Sequence, residues 1–266
     1  MREKLWLRLR NSKLLRRLSS SSVLSKLIRA ASGLLVPSLQ RKEMRIRAGI
    51  GKGLIMEINP RWETEMWEGT YEAEAQHLFA QHLHEGVIYY DVGGGLGFYS
   101  MVAARLGAEV FVFEPAAANS ALIEHHLRKN ALVSRVRIIH SAVFSYTGVI
   151  LLRSNDRETG HGNYYVESSN QATTQLGRVS CTTLDDFIKE NPKPDFVKID
   201  IEGAESEALK GAEILFSTSR PPLICEIHDE ANASFVARWL SEKNYQIRWL
   251  EGHTRFPCYL YASPLP

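Results

Sequence analysis

Cysteine is scarce and scattered. Cys181, Cys225 and Cys258 lie far apart, no Cys-x-x-Cys pair occurs, and no histidine spacing completes a zinc set. A disulfide framework and a structural zinc centre are thereby excluded. An odd, sparse count of thiols fits a reducing compartment, so a cytoplasmic protein is expected. Long apolar runs are missing too. With no stretch of about 18 apolar residues, a spanning helix is not expected. The opening "MREKLWLRLRNSKLLRRL" is broken by arginine every few residues and lacks the unbroken apolar core of a secretory signal. No Gly-Lys-Ser/Thr occurs, which removes the Walker type of phosphate loop.

Net charge is also small, at +2, but it hides an asymmetry. Residues 1–50 hold thirteen Lys and Arg against two Glu, roughly +11, and the remainder carries about −9. Attraction to a polyanion or an anionic surface therefore belongs to the N-terminus. Residues 1–35 read as one or two basic amphipathic helices, interrupted by "SSSSV" (19–23). Three readings stand for them: a helical cap or tail on the domain, a helix lying on anionic lipid at the inner face of a membrane, and an RNA-binding arm. Residues 1–45 are accordingly an extension, and 46–266 form the domain.

From residue 70 helical and strand patterns alternate. "VIYYDVG" (87–93), "EVFVFEP" (109–115), "VRIIHSAVF" (136–144), "DFVKIDIEG" (195–203) and "PPLICEIH" (221–228) read as strands. "TYEAEAQHLFAQHL" (70–83), "LGFYSMVAARLG" (96–107), "NSALIEHHLRKNA" (119–131), "AESEALKGAEILFS" (204–217) and "SFVARWLSEKN" (234–244) read as helices. This alternation predicts βαβ units, hence an α/β fold with a mostly parallel central sheet covered by helices on both faces. "QIRWLEG" and "CYLYA" close it as a C-terminal antiparallel hairpin. The stretch 147–187 breaks the rhythm, with strand-like "GVILLRS" and "RVSCTTLDDF" around a polar loop. It is read as an inserted loop region, and Tyr164 and Tyr165 favour a wall over the site.

Gly93, Gly94, Gly95 and Gly97 follow the first strand of the alternation. In an open parallel sheet ligands sit beyond the carboxyl ends of the strands, and residues without Cβ let a ligand lie against the peptide plane. A dinucleotide site wants Gly-x-Gly-x-x-Gly; here the third glycine comes one residue early. Glu114, with Pro115 after it, ends the second strand, where a carboxylate accepts both hydroxyls of a ribose. That suits a dinucleotide and S-adenosylmethionine equally. Asp91 separates them, since a carboxylate repels a pyrophosphate but attracts the cationic amino-acid portion of S-adenosylmethionine. A helix-capping aspartate is its plainer role. Glu72, ahead of the first strand, reaches the cofactor's ammonium or the substrate, or is a solvated helix carboxylate.

"DVGGGLGFYS", "FEP", "TLDDF", "KIDIEGAE" and "EIH" stand in the order of the FkbM-type methyltransferase family, which residues 66–230 resemble; "WEGTYE" (67–72) is similar as well. The resemblance implies a Rossmann-like class I methyltransferase fold that uses S-adenosylmethionine, usually for O-methylation of a small molecule or sugar. It implies that Gly93, Gly95 and Gly97 line the cofactor's amino-acid portion, that Glu114 holds the ribose, and that Ser141 and Ala142 border the adenine. The chain departs from the family's Gly-Ala-Asn-x-Gly by reading Gly93-Gly94-Gly95-Leu96-Gly97.

"KIDIEGAE" speaks without any family. Strand alternation puts Lys198, Asp200 and Glu202 on one face, and a buried lysine there needs a carboxylate, from Asp200 or Glu226. Methyl transfer to an alcohol gains most from orientation and then from a base for the hydroxyl proton. Asp200 and His228 are the candidate catalytic residues. No metal is expected, although Asp200, Glu202 and His228 are the set that would hold one. The expected partner is a hydroxyl-bearing small molecule or sugar. Alternatives are an NAD(P)-dependent oxidoreductase, a nucleic-acid methyltransferase guided by the basic N-terminus, and a cofactor-binding protein without activity. The nucleic-acid reading is opposed by the acidic body and by Asp200-Ile201-Glu202-Gly203 where [DNS]-P-P-[FYW] would stand.

Overall fold

A computed structural model describes residues 41–59, 63–154, 164–166, 174–250 and 255–266. The basic stretch 1–35 and its three readings lie outside the described residues. The core is a seven-stranded sheet built from β3 (Ile88–Val92), β4 (Glu109–Phe113), β5 (Val136–Ile139), β10 (Phe196–Ile199), β11 (Leu223–Ile227), β12 (Tyr245–Trp249) and β13 (Cys258–Pro264). Their order is β12-β13-β11-β10-β3-β4-β5. β13 alone runs against its neighbours, so the predicted hairpin forms with its second strand inserted between β12 and β11. β3 lies between β4 and β10, with Lys198 in register beside Asp91 and Asp91 beside Val112.

Successive strand residues point to opposite faces, and the two tyrosines of β3 show the consequence. Tyr89 packs with Phe79 and Phe196, and Phe79 stacks on Tyr99, in the core under α2 (Ala73–His82), α3 (Phe98–Arg105) and α4 (Ala117–Lys129). Tyr90 packs with Phe111, Phe113 and Phe187 in the opposite core, with α6 (Glu205–Lys210), α7 (Glu213–Thr218) and α8 (Glu230–Glu242). Each such ring, fully buried, contributes about 1.5–3 kcal/mol by leaving water.

Ahead of the sheet, β1 (Lys42–Arg45) and β2 (Ile55–Ile58) pair antiparallel, and the short helix α1 (Thr64–Glu68) follows them. β1 therefore begins on the extension's side of the expected boundary at residue 45. His126 clamps this hairpin to α4, its Nε2 accepting from the Glu57 amide at 2.9 Å while Nδ1 lies 2.9 Å from the Leu96 carbonyl.

Two elements differ from expectation. The strand read over 136–144 splits at a turn in which the Ser141 amide donates to the Ile139 carbonyl. β6 (Ala142–Val143) then pairs with Cys181 and Thr182 instead. It joins β7 (Gly148–Ser154), β8 (Tyr164–Val166) and β9 (Thr174–Thr182) in a second sheet of order β6-β9-β7-β8, so much of 147–187 is sheet. The side chains of Tyr164 and Tyr165, on which the wall reading leaned, lie outside the described residues. "TLDDF" is helical, not strand: α5 (Leu184–Phe187) starts where the Thr183 hydroxyl accepts from the Asp186 amide at 2.8 Å, an N-cap.

Candidate active site

A cavity of about 590 Å³ opens at the carboxyl ends of β3, β4, β10 and β11, within the range of small-molecule sites. The glycine loop forms its floor, and what approaches that loop is mostly the protein itself. A Cβ on Gly93, at φ +90°, would stand 1.8 Å from the Asp200 carbonyl oxygen. On Gly94 it would meet Val112 at 2.4 Å, and on Gly97 it would crowd Ile123 of α4 at 3.1 Å. Gly95, at φ +52°, has nothing within 4 Å of that position. Three of the four glycines thus let β10 and α4 close on the loop, and Gly95 alone faces open space in the cavity.

Asp91 is buried at 1% exposure. Its Oδ2 accepts from the Ser100 hydroxyl at 2.5 Å, while Oδ1 makes no hydrogen bond, although the Tyr89 hydroxyl, itself unbonded, stands beside the carboxyl. Burial raises its pKa, against the pull of the Lys198 ammonium. Glu114 accepts one backbone N–H at each oxygen, Gly95 at Oε2 and Ala116 at Oε1, both at 2.9 Å. The Asn119 side chain donates to the same carboxyl, and the lone pair that remains is left for a hydroxyl. Burial lifts this carboxyl to about 7. Pro115 and Ala142 line the same end of the cavity. Ser141 is buried beside Ala142 and donates to its carbonyl at 3.1 Å. Helix α4 starts at Ala117, two residues before the start read at 119.

At the other end stands the acidic group. Here the reading of Asp200 and Glu202 as strand neighbours on one face is corrected: β10 ends at Ile199, and Glu202 sits in a turn at φ +56°. The turn nevertheless brings both carboxyls to the cavity. The Lys198 ammonium, 3% exposed, donates to Asp200 Oδ2 at 2.7 Å, which answers the question of its partner. Burial opposes that charge, but Asp200, Asp91 and Glu72 outweigh it and raise the pKa of Lys198. The Asp200 and Glu226 carboxyls share a hydrogen bond. With Lys198 beside it Asp200 stays ionised, and burial together with the Asp200 charge leaves the proton on Glu226.

His228 follows β11. Its Nδ1 lies 2.8 Å from Glu205 Oε1, and its Nε2 lies 3.4 Å from Glu202 and 3.7 Å from Glu226. Burial works against the imidazolium, but Glu205, Asp200 and Glu202 hold it up to about 9. In this cluster His228 is therefore charged at neutral pH, not the near-neutral base that its ordinary value suggests. Burial lifts Glu202 to about 7, with the His228 charge opposing. Asp200, Glu226 and His228 bring ligand atoms within 4.8 Å of one another. This set has Glu226 where the sequence suggested Glu202, and Asp200 within it already accepts from Lys198.

Of the residues singled out in the sequence, Asp91, Gly93, Gly95, Glu114, Pro115, Ala142, Asp200 and His228 line the cavity. Gly97, Ser141 and Glu72 do not. Gly97 starts α3, and Glu72, at φ +47°, is held off by the Tyr99 hydroxyl, which donates to its Oε2 at 2.7 Å. Burial raises the Glu72 pKa, so this carboxyl is not solvated. Sequence reasoning did not pick Tyr71, Tyr99 and Glu63, which also line the cavity, or Glu205, which holds His228 from behind. Tyr99 was findable, one turn into the helix after the glycines; Glu205 pairs with His228 across 23 residues and left no local trace.

Comparison with known proteins bears on this arrangement. The family described as Methyltransferase FkbM domain matches residues 90–247. The chain is similar to hexuronic acid methyltransferase AglP of Haloferax volcanii, 27% identical over 174 residues, covering 64% of this chain and 68% of that one. It is also similar to the crystal structure of methyltransferase FkbM from Methylobacillus flagellatus KT, with a TM-score of 0.51 and 23% identity over 66% of this chain. The chain spans 43% of that solved protein, a likeness of fold. Among the described residues, no helix is long and apolar enough to cross a membrane.

Proposed function

This chain belongs to the FkbM methyltransferase family, and from that premise we propose that it carries a methyl group from S-adenosylmethionine to a hydroxyl oxygen of a sugar or other small molecule. Membership in a methyltransferase family sets the oxidoreductase alternative aside. The sugar class is supported by the relative named for a hexuronic acid.

One observation carries the choice of donor. Asp91 Oδ1 is a buried carboxylate oxygen that makes no hydrogen bond, even to the Tyr89 hydroxyl beside it, on a cavity whose floor is open at Gly95. A buried acceptor left unsatisfied costs about 1–3 kcal/mol or more, and a cationic ligand group would satisfy it. The residues thus fit the group. S-adenosylmethionine, when bound, supplies an electrophilic methyl on a sulfonium. Asp91, Gly93, Gly95 and Gly97 would serve its amino-acid portion, the last two glycines as open floor and helix start. Glu114 and Pro115 would serve the ribose, and Ser141 and Ala142 the adenine. Glu72 would act on the ammonium only through the Tyr99 side of the cluster.

Of the two candidate bases, Asp200 is ionised and takes the acceptor's proton in this reading. Its pairing with Lys198 keeps it ionised but also makes it a weak base. His228 must first lose a proton to do the same, and as an imidazolium it orients Glu202 and Glu226. Residues 1–45 are proposed as an extension and 46–266 as the catalytic domain.

Titration calorimetry with S-adenosylhomocysteine and with NADH tests the reading. Heat with the first and none with the second is expected. Binding of NADH alone would refute it.

A further inference from the structure

The acceptor's charge is legible in the wall it must face. Asp200, Glu202 and Glu226 stand at the ends of β10 and β11, and Glu63 and Glu65 line the cavity with them. Among the described residues the lining contains two cationic groups and no arginine. Lys198 is buried and committed to Asp200 at 2.7 Å. His228 is committed to Glu205 at 2.8 Å, with Glu202 and Glu226 on its other nitrogen. Neither is free to meet a second anion.

The same carboxyls are crowded. Those of Asp200 and Glu226 share a hydrogen bond, and Glu202 and Glu226 lie 3.4 Å and 3.7 Å from the one nitrogen His228 Nε2. An entering carboxylate would add to this crowding, whereas a hydroxyl or an ammonium would donate into it.

We propose that the acceptor is a neutral or amino-bearing sugar and that a uronic acid is disfavoured; this rests on the methyl-transfer reading above. The relative named for a hexuronic acid is 27% identical, which leaves room for the acceptor wall to differ. An acidic sugar wants an arginine fork or a free lysine, and the described wall offers carboxyls.

The test uses the full-length protein and methyl glycosides of glucose, galactose and mannose, each as the neutral, the 2-amino and the uronic form. Binding is read by calorimetry in the presence of S-adenosylhomocysteine, and transfer is read with labelled S-adenosylmethionine. The neutral or amino form of at least one sugar is expected to bind at least about tenfold more tightly than its uronic form. In Glu202→Gln the preference over the uronic form is expected to narrow, a ratio that a partly unfolded sample does not alter. Uronic forms that bind as well or better would overturn the proposal. So would failure of every sugar while S-adenosylhomocysteine binds, and that outcome leaves the donor reading standing. Failure of S-adenosylhomocysteine itself would remove both.

Discussion

Replacing Gly93 and Gly95 in turn by alanine separates the two jobs of the glycine loop. In Gly93→Ala the new methyl is aimed at the Asp200 carbonyl, 1.8 Å from its oxygen and 2.8 Å from its carbon. Neither strand can step aside cheaply. The Gly93 amide donates to the Phe113 carbonyl at 3.0 Å, and the Asp200 amide donates to the Val92 carbonyl at 2.9 Å. An alanine at φ +90° adds roughly 1–2 kcal/mol of backbone strain, and overpacking adds roughly 1–3 kcal/mol. The sum, about 2–5 kcal/mol, is a large part of the 5–15 kcal/mol typical of a domain. It corresponds to a thermal midpoint lowered by roughly 5–15 °C. Gly95→Ala carries only the backbone term, about 1 kcal/mol, because nothing lies within 4 Å. Its midpoint is expected to move by a few degrees, while affinity for S-adenosylhomocysteine falls at least tenfold as the methyl fills the open floor. Circular dichroism melts and calorimetry on both variants measure this. Equal destabilisation by the two, or a Gly93→Ala protein as stable as the parent, would refute the division of labour.

Other perturbations follow from the charge cluster. Lys198→Met strands Asp200 in a buried site and is expected to destabilise by about 3–5 kcal/mol, with Asp200→Asn in the same chain restoring part of it. Urea melts of the single and double variants check this. His228, at about 9 in the folded chain against about 6.5 unfolded, binds its proton more tightly when folded. Its contribution to stability is full below pH 6.5 and is lost as pH rises through 9. An NMR titration should find the imidazolium persisting to about pH 9, and Glu205→Gln should bring that value down; an unperturbed titration would contradict the cluster. On the chemical step, Asp200→Asn or His228→Ala is expected to lower turnover at saturating cofactor by about 10²–10⁴-fold. If neither loss exceeds tenfold, the proton acceptor lies elsewhere.

Local pattern carried the architecture because its signals are short in range. Alternating periods and glycine after an apolar run each concern fewer than fifteen neighbouring residues, and each became the expected element. The failures share a cause. The run 136–144 has the same β-forming character throughout, and only the distant Cys181 and Thr182 decide that its last two residues leave the main sheet. Asp200 and Glu202 look like strand neighbours until Glu202 turns at φ +56°. "TTLDDF" reads as the end of a strand, but the Thr183 hydroxyl receives the Asp186 amide and a helix starts there.

What the order of residues determined by itself was the parallel sheet, the edge on which ligands gather, and some of the residues that line it. These follow from polarity and period, properties that each residue carries along the chain. Only tertiary structure decided what the glycines make room for, since the carbonyl pressing on Gly93 belongs to Asp200. It alone decided the protonation of the cluster as well. Whether a histidine or a carboxyl holds its proton depends on burial and on charges a few ångströms away, and Glu205, Glu226 and Lys198 reach that distance only once β10 and β11 lie side by side.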